Sequence, residues 1–179
     1  MKHRILVVAL VLAVFPLTSL VVRAQPTGEA QLLTEENLNK LLPSSIFLDG
    51  ENAPVQKRNA VGTRMGNGKL LIVTLIDTSG YSSAYQEKYV GVLLTQGDLM
   101  FGKSEIKPGA YGLGRKKSMA GAEELHTFVL YDIGGNTIAE IPAEKDEKLR
   151  PVKPIQLSVG ALQPARLYLG RYFVAISSR

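Results

Sequence analysis

Residues 69 to 96 read KLLIVTLIDTSGYSSAYQEKYVGVLLTQ, and this stretch decides the fold class. Two apolar, β-branched runs flank a polar corner, Asp77-Thr78-Ser79-Gly80-Tyr81-Ser82. Leu70 to Ile76 and Tyr89 to Thr95 have the length and composition of strands. Each carries large apolar side chains on both alternation phases, which predicts central strands covered on both faces. Between them Tyr81, Tyr85 and Tyr89 lie four apart, a spacing that suits a short helical turn with three rings on one side.

Upstream, Thr34 stands where an N-cap would, with Glu35, Glu36 and Asn37 in the first turn. Leu38, Leu41 and Leu42 form one apolar stripe and Pro43 ends it, so a two-turn helix over 35–42 is expected. Ile46 to Leu48 predicts a short strand, Gly50-Glu51-Asn52 a turn, and Ala53 to Met65 an extended segment. Gly66-Asn67-Gly68 then makes a hairpin turn into the central strand.

Downstream, Gln96-Gly97-Asp98 turns the chain and Leu99 to Phe101 forms a strand that leads into Gly102-Lys103-Ser104. Lys107-Pro108-Gly109-Ala110 fits a type II turn, with positive φ at Gly109. Tyr111, Leu113 and Arg115 alternate with Gly112 and Gly114, a strand whose small-residue face is closely approached by another element. Lys116 to Glu124 is expected as a solvated loop. His126 to Asp132, Gly134-Gly135-Asn136 and Thr137 to Ile141 compose a hairpin. Residues 142–154 hold Pro142, Pro151 and Pro154 among many charges and predict an irregular connection. Ile155 to Val159 and Arg166 to Ile176 close the chain as strands, the second with a bend at Gly170. Short strands about ten residues apart, with one short N-terminal helix, predict an all-β fold, an antiparallel sandwich or partly closed barrel.

At 179 residues the chain is sized for one domain. Its start has the parts of an export signal: Lys2, His3 and Arg4, the apolar run Ile5 to Phe15, and Val22-Arg23-Ala24 ahead of a cut. This predicts a signal peptide over 1–24, a tether over 25–33 and a single β-rich domain over 34–179. An uncleaved membrane anchor competes, because apolar character continues to Val22. Lys2, Arg4 and Arg23 account for three of the formal +5 charges, leaving +2 for the rest of the chain. Arg115-Lys116-Lys117 is the longest basic run and Glu123-Glu124 offsets it, so no nucleic-acid partner is expected. With no cysteine there is neither disulfide nor thiolate metal site, and stability must come from burial.

Candidate chemistry gathers at the corner. Asp77 with Ser79 or Ser82 offers an acid and hydroxyls at a strand end, yet a nucleophilic serine needs a base, and His126 is the only histidine beyond His3. Glycines two residues either side of a serine, the mark of a nucleophile elbow, are missing. The structural alternative is that Asp77 accepts hydrogen bonds from the N–H groups of Ser79 to Tyr81 and shapes the turn. Tyr81, Tyr85 and Tyr89 could stack a sugar or peptide; the bland alternative packs their rings over the end of the sheet with hydroxyls outward. His126 with Glu123, Glu124 and Asp132 has metal-ligand residue types without a metal motif, and no cofactor or metal is expected. Asp77, Ser79, Tyr81, Tyr85 and Tyr89 are therefore the ligand-binding candidates.

The set QKRNAVG, IDTSGYSSAYQEKY, PGAYGLG and the YDIGGNTI hairpin resembles an uncharacterised family of exported bacterial proteins, over about residues 43 to 141. The resemblance implies export and a β-rich build, and supplies no activity or catalytic residue. Together these readings predict an exported, non-catalytic binding or structural module of the bacterial envelope or extracellular space, its ligand unknown. Two rivals stay open: a secreted hydrolase that uses the Asp77-Ser82 corner, and a membrane-anchored periplasmic module.

Overall fold

The computed structural model describes residues 30–160 and 163–179; the expected signal peptide and most of the tether lie outside the described residues. The chain runs through β1 (Gln31–Leu32), α1 (Glu35–Leu41), β2 (Ser45–Leu48), β3 (Glu51–Arg64), β4 (Leu70–Ile76), α2 (Ser83–Lys88) and β5 (Gly91–Thr95). It continues through β6 (Leu99–Phe101), β7 (Ser104–Ile106), β8 (Gly109–Ala120), β9 (Glu123–Tyr131) and β10 (Thr137–Lys145). β11 (Ile155–Ser158), β12 (Ala165–Leu169) and β13 (Tyr172–Ser178) complete it.

Every strand pairing is antiparallel, in the order β1-β3-β4-β5-β8-β9-β10-β13-β12-β11. β2 pairs with β3, and the β6–β7 hairpin joins β13 beyond the point where β10 leaves it. The sheet curls until β11 lies against β3, where no ladder joins the two. This is the partly closed barrel of the two expected architectures.

The apolar runs that flank the corner explain the layering. Leu71 and Val73 of β4 and Leu93 of β5 face the interior with Leu113, Phe128, Leu130, Leu167 and Ile176. Burying this many large side chains at about 25 cal/mol per Å2 supplies the main stabilisation in a chain without cross-links. The opposite phase is covered from outside. Leu38 and Leu42 pack on Ile72, and Tyr85 and Tyr89 pack with Leu48, Ile76 and Val92.

Thr34 caps α1 by accepting the N–H of Asn37, as expected. Several expectations need correction. Leu33 donates to Gly62 at 2.8 Å and Gln31 pairs with Arg64, so the end of the tether is tied into the sheet. The helical turn expected from the tyrosine spacing is present as a second helix, α2, beside the one N-terminal helix expected, and Tyr89 caps it instead of opening β5. Gly109 has no positive φ: it pairs with Thr95 as the first residue of β8, which leaves no type II turn there. The expected loop over Lys116 to Glu124 is a β-ribbon, with Lys117 opposite His126 and Ala120 opposite Glu123. The irregular connection starts only after Lys145, because β10 runs on to pair with β13. The last expected strand is a hairpin turning at Gly170 and Arg171, which puts Tyr172 on the interior side with Leu169 and not beside Tyr168.

Candidate functional site

The corner begins with Asp77 at the end of β4. Its N–H donates to Pro54 O at 2.9 Å, and its Oδ1 accepts the Ser79 N–H at 3.0 Å. That backbone bond holds the exposed carboxyl below its ordinary value. Of the three donors expected for Asp77 only Ser79 is used, since the Tyr81 N–H donates to Thr78 O. Ser82 is the N-cap of α2 and accepts the Tyr85 N–H at 3.3 Å. Six residues cannot sustain a helix alone. Tertiary contacts hold this one.

Those contacts are the tyrosines. Tyr81, Tyr85, Tyr89 and Tyr131 form a ladder with ring centroids 5.0, 4.7 and 5.2 Å apart. Tyr85 is 6% exposed and Tyr89 1%, so neither offers a ring face to a ligand. Their hydroxyls do not point outward as expected. Tyr81 donates to Asn52 O at 2.9 Å, Tyr85 to Leu48 O at 3.3 Å and Tyr89 to Asp49 Oδ2 at 2.9 Å. Burial pushes the Tyr85 hydroxyl up to about 12, and burial followed by the Asp49 bond raises Tyr89 further. Lys88 Nζ sits 2.7 Å from Asp49 and lies over the Tyr89 and Tyr131 rings. That ion pair and the Tyr89 bond keep the Asp49 carboxyl below its ordinary range. The cluster clamps the β2–β3 hairpin onto α2.

His126 belongs to a different part of the wall. Its ring is buried, stacks on Tyr172 with centroids 3.4 Å apart, and has Nε2 3.3 Å from Glu124 Oε1. Neither ring nitrogen has a hydrogen-bond partner among the described residues. Asp132 closes the β9–β10 turn through bonds to Gly134 and Asn136. The structure thus brings His126 together with Glu124 and Tyr172, and Asp77 together with Ser79. Among the described residues no three His, Cys, Asp or Glu side chains converge as a metal-holding set.

The corner nevertheless shapes a cleft. Where β4 breaks off and β5 resumes, the barrel mouth opens into a cavity of about 400 Å3. Leu75, Val90 and Leu169 form its core side. Gln56, Thr78 and Gln86 supply neutral polar groups, and Arg115 enters from β8. A bulge in β3 between Val55 and Ala60 places Gln56, whose amide donates to Ile76 O and accepts from Asn59. Gln86 is fixed by donation to Tyr81 O at 2.8 Å.

Arg115 is the exception in this arrangement. It is half-buried, and among the described residues its guanidinium has neither a carboxylate within 4.0 Å nor a hydrogen-bond acceptor. Gly170 leaves it room, since a Cβ there would stand 4.0 Å from Nη1. A partly desolvated guanidinium without a partner is a ready receptor for a carboxylate or phosphate, which it can bind through two parallel N–H donors.

Of the sequence candidates, Tyr89 lines this cleft, and so does Thr78 of the corner, whereas Asp77, Ser79, Tyr81 and Tyr85 do not. Arg115 was missed as a site residue, though a signal existed. It shares the phase of Tyr111 and Leu113, so a charge stands at the end of an apolar face, where a strand passes the rim of a barrel. The fold and cleft define a small antiparallel barrel with a cationic pocket at one mouth. No family model, no curated protein and no solved structure matches the chain.

Proposed function

We propose that the protein is an exported, non-catalytic binding module of the bacterial envelope or extracellular space, and that it takes the anionic end of its ligand at Arg115. The half-buried guanidinium in the mouth cleft, without a partner among the described residues, carries this reading. The apolar wall of Leu75, Val90 and Leu169 adds a preference for an anion with a hydrocarbon flank, such as the C-terminus of a peptide. Gln56, Thr78 and Gln86 offer neutral donors and acceptors that orient the remainder. Export rests on the basic start, apolar run and Val-Arg-Ala sequence of residues 1–24.

N-acetyl-leucine is a suitable probe, with inorganic phosphate as the anion that lacks an apolar flank. Titration followed through the backbone amide resonances of the cleft, and in the parent also through the Arg115 side-chain N–H, should give saturable binding, tighter for N-acetyl-leucine than for phosphate. Arg115→Ala should weaken it about tenfold or more, since a charge-assisted bond contributes roughly 1.5–3 kcal/mol. Arg115→Lys should recover part of the loss. An Arg115 resonance unmoved by either anion would overturn the assignment.

A further inference from the structure

Beyond the barrel wall β8 and β9 continue as a lone ribbon. β5 leaves β8 at Leu113 and β10 leaves β9 at His126, while β8 and β9 stay paired as far as Ala120 and Glu123. Among the described residues no strand adds to either outer edge of this ribbon. Unpaired edges are usually blunted by charged side chains, lysine above all, or by proline, a bulge or a covering segment. Among the described residues this ribbon relies on charge. This ribbon has no proline, keeps an unbroken register and exposes Met119 and Leu125.

Its charges are sorted by edge. Lys116 and Lys117 lie on β8, and Glu123 and Glu124 on β9. Their contacts within the chain, Lys116 to Glu140 and Lys117 to Glu124, are exposed ion pairs, a kind that contributes little and exchanges readily. Beside the β9 edge, the departure of β10 toward β13 opens a notch of about 850 Å3. Glu123, Glu124, Glu144 and Glu147 wall it, with Lys145 bonded to Glu147, and Leu125 and Tyr172 give apolar surface.

We propose that the chain associates with further copies of itself by strand addition, the basic β8 edge of one copy lying antiparallel to the acidic β9 edge in the notch of the next. Charge selects this pairing. Joining two β9 edges would oppose glutamates, and joining two β8 edges would oppose lysines, whereas β8 on β9 repeats across copies the antiparallel pairing present within each ribbon. The contact uses two different surfaces, so it is heterologous and builds a ring or an open chain. It does not use the mouth cleft, and the charges it relies on are those of Lys116, Lys117, Glu123 and Glu124.

Sedimentation of the chain from Gln25 onward at rising concentration is the test, with folding of each variant checked by circular dichroism. The parent should associate, and should dissociate at about 1 M salt, where screening acts within ~3 Å. The double variant Lys116→Glu with Lys117→Glu, and the double variant Glu123→Lys with Glu124→Lys, should each associate at least about tenfold more weakly. Mixed in equal amounts they should associate again, because each then meets an edge of opposite charge. A parent that stays monomeric, or variants that associate like it, would sink the proposal. So would a monomeric parent that binds the free peptide GRKKSMA, since the notch would then belong to a basic segment of another protein.

Discussion

A methyl group added to Gly112 would lie 2.6 Å from Cε1 of Tyr89 and 3.1 Å from Cδ1 of Leu48. The Tyr89 ring cannot retreat freely, because Asp49 holds its hydroxyl and Tyr85 and Tyr131 flank it. Gly112→Ala should therefore cost about 1–3 kcal/mol, as overpacking in a filled core does, read from the denaturant midpoint. Gly109→Ala should leave that midpoint close to the parent's, since its Cβ meets Tyr111 only at 3.4 Å and no positive φ is involved. The contrast marks what was legible. Alternation of Gly112 and Gly114 with larger residues gave away a close approach. The Pro-Gly pair at 108–109 suggested a turn that pairing with Thr95 overrides. What approaches Gly112 was not legible, because Tyr89 arrives from a separate element.

Three of the hairpins the sequence concealed share one cause. Gly102-Lys103, Gly121-Ala122 and Gly170-Arg171 are all two-residue hairpin turns with positive φ at the glycine alone, the type II′ pattern. Each was hidden by its neighbours: a three-residue strand, a run of charges, and an apolar stretch long enough for one strand. The hairpin turns that were recognised, Gly66-Asn67-Gly68 and Gly134-Gly135-Asn136, carry Asn beside Gly. Asp49-Gly50, with positive φ at both residues, falls between these cases, and its aspartate has a second task. It joins the β2–β3 hairpin to α2 through Lys88 and Tyr89. Asp49→Ala should cost about 1–3 kcal/mol, because the buried Tyr89 hydroxyl loses its acceptor. Asp49→Asn should be milder, since the amide oxygen still accepts and Asn tolerates left-handed backbone. Thermal unfolding of both variants checks the order; equal losses would assign the cost to the carboxylate charge facing Lys88, which neither variant keeps.

At the scale of the whole molecule, fold class was readable from strand length, two-phase hydrophobicity and turn punctuation. The candidate site was readable only at its border. Its chief residue, Arg115, depends on where the barrel wall ends, which local pattern does not give. Acid stability is a property of the whole and can be traced to His126. Burial holds its imidazole below the ordinary value, with Arg115 and Lys117 adding to the effect and Glu124 opposing it. The unfolded chain takes up this proton near pH ~6.5, whereas the folded chain resists it. Stability is therefore complete above about pH 6.5 and falls as pH drops from there toward the lowered folded value. Denaturation midpoints measured from about pH 7.5 down to about pH 5 should show this decline in the parent. His126→Phe, which keeps a ring on Tyr172, should flatten it. Carboxylates with depressed values, among them Asp49 and Asp132, still bring a later loss at lower pH. Parallel decline in parent and variant would acquit the histidine.

The missing ladder between β3 and β11 gives this barrel a mechanical character. A sheet closed all round is a hoop, and widening it means breaking backbone hydrogen bonds somewhere on the circumference. Here the circumference ends in a seam, a cavity of about 270 Å3 with Ile155 and Leu157 on one lip and Val61 and Gly62 on the other. Among the described residues no ladder joins the lips, and Lys57, Arg58 and Lys153 stand around the opening. Among the described residues the seam is thus the one line around the wall along which parting would break no strand pair, which makes the barrel a clasp and not a hoop.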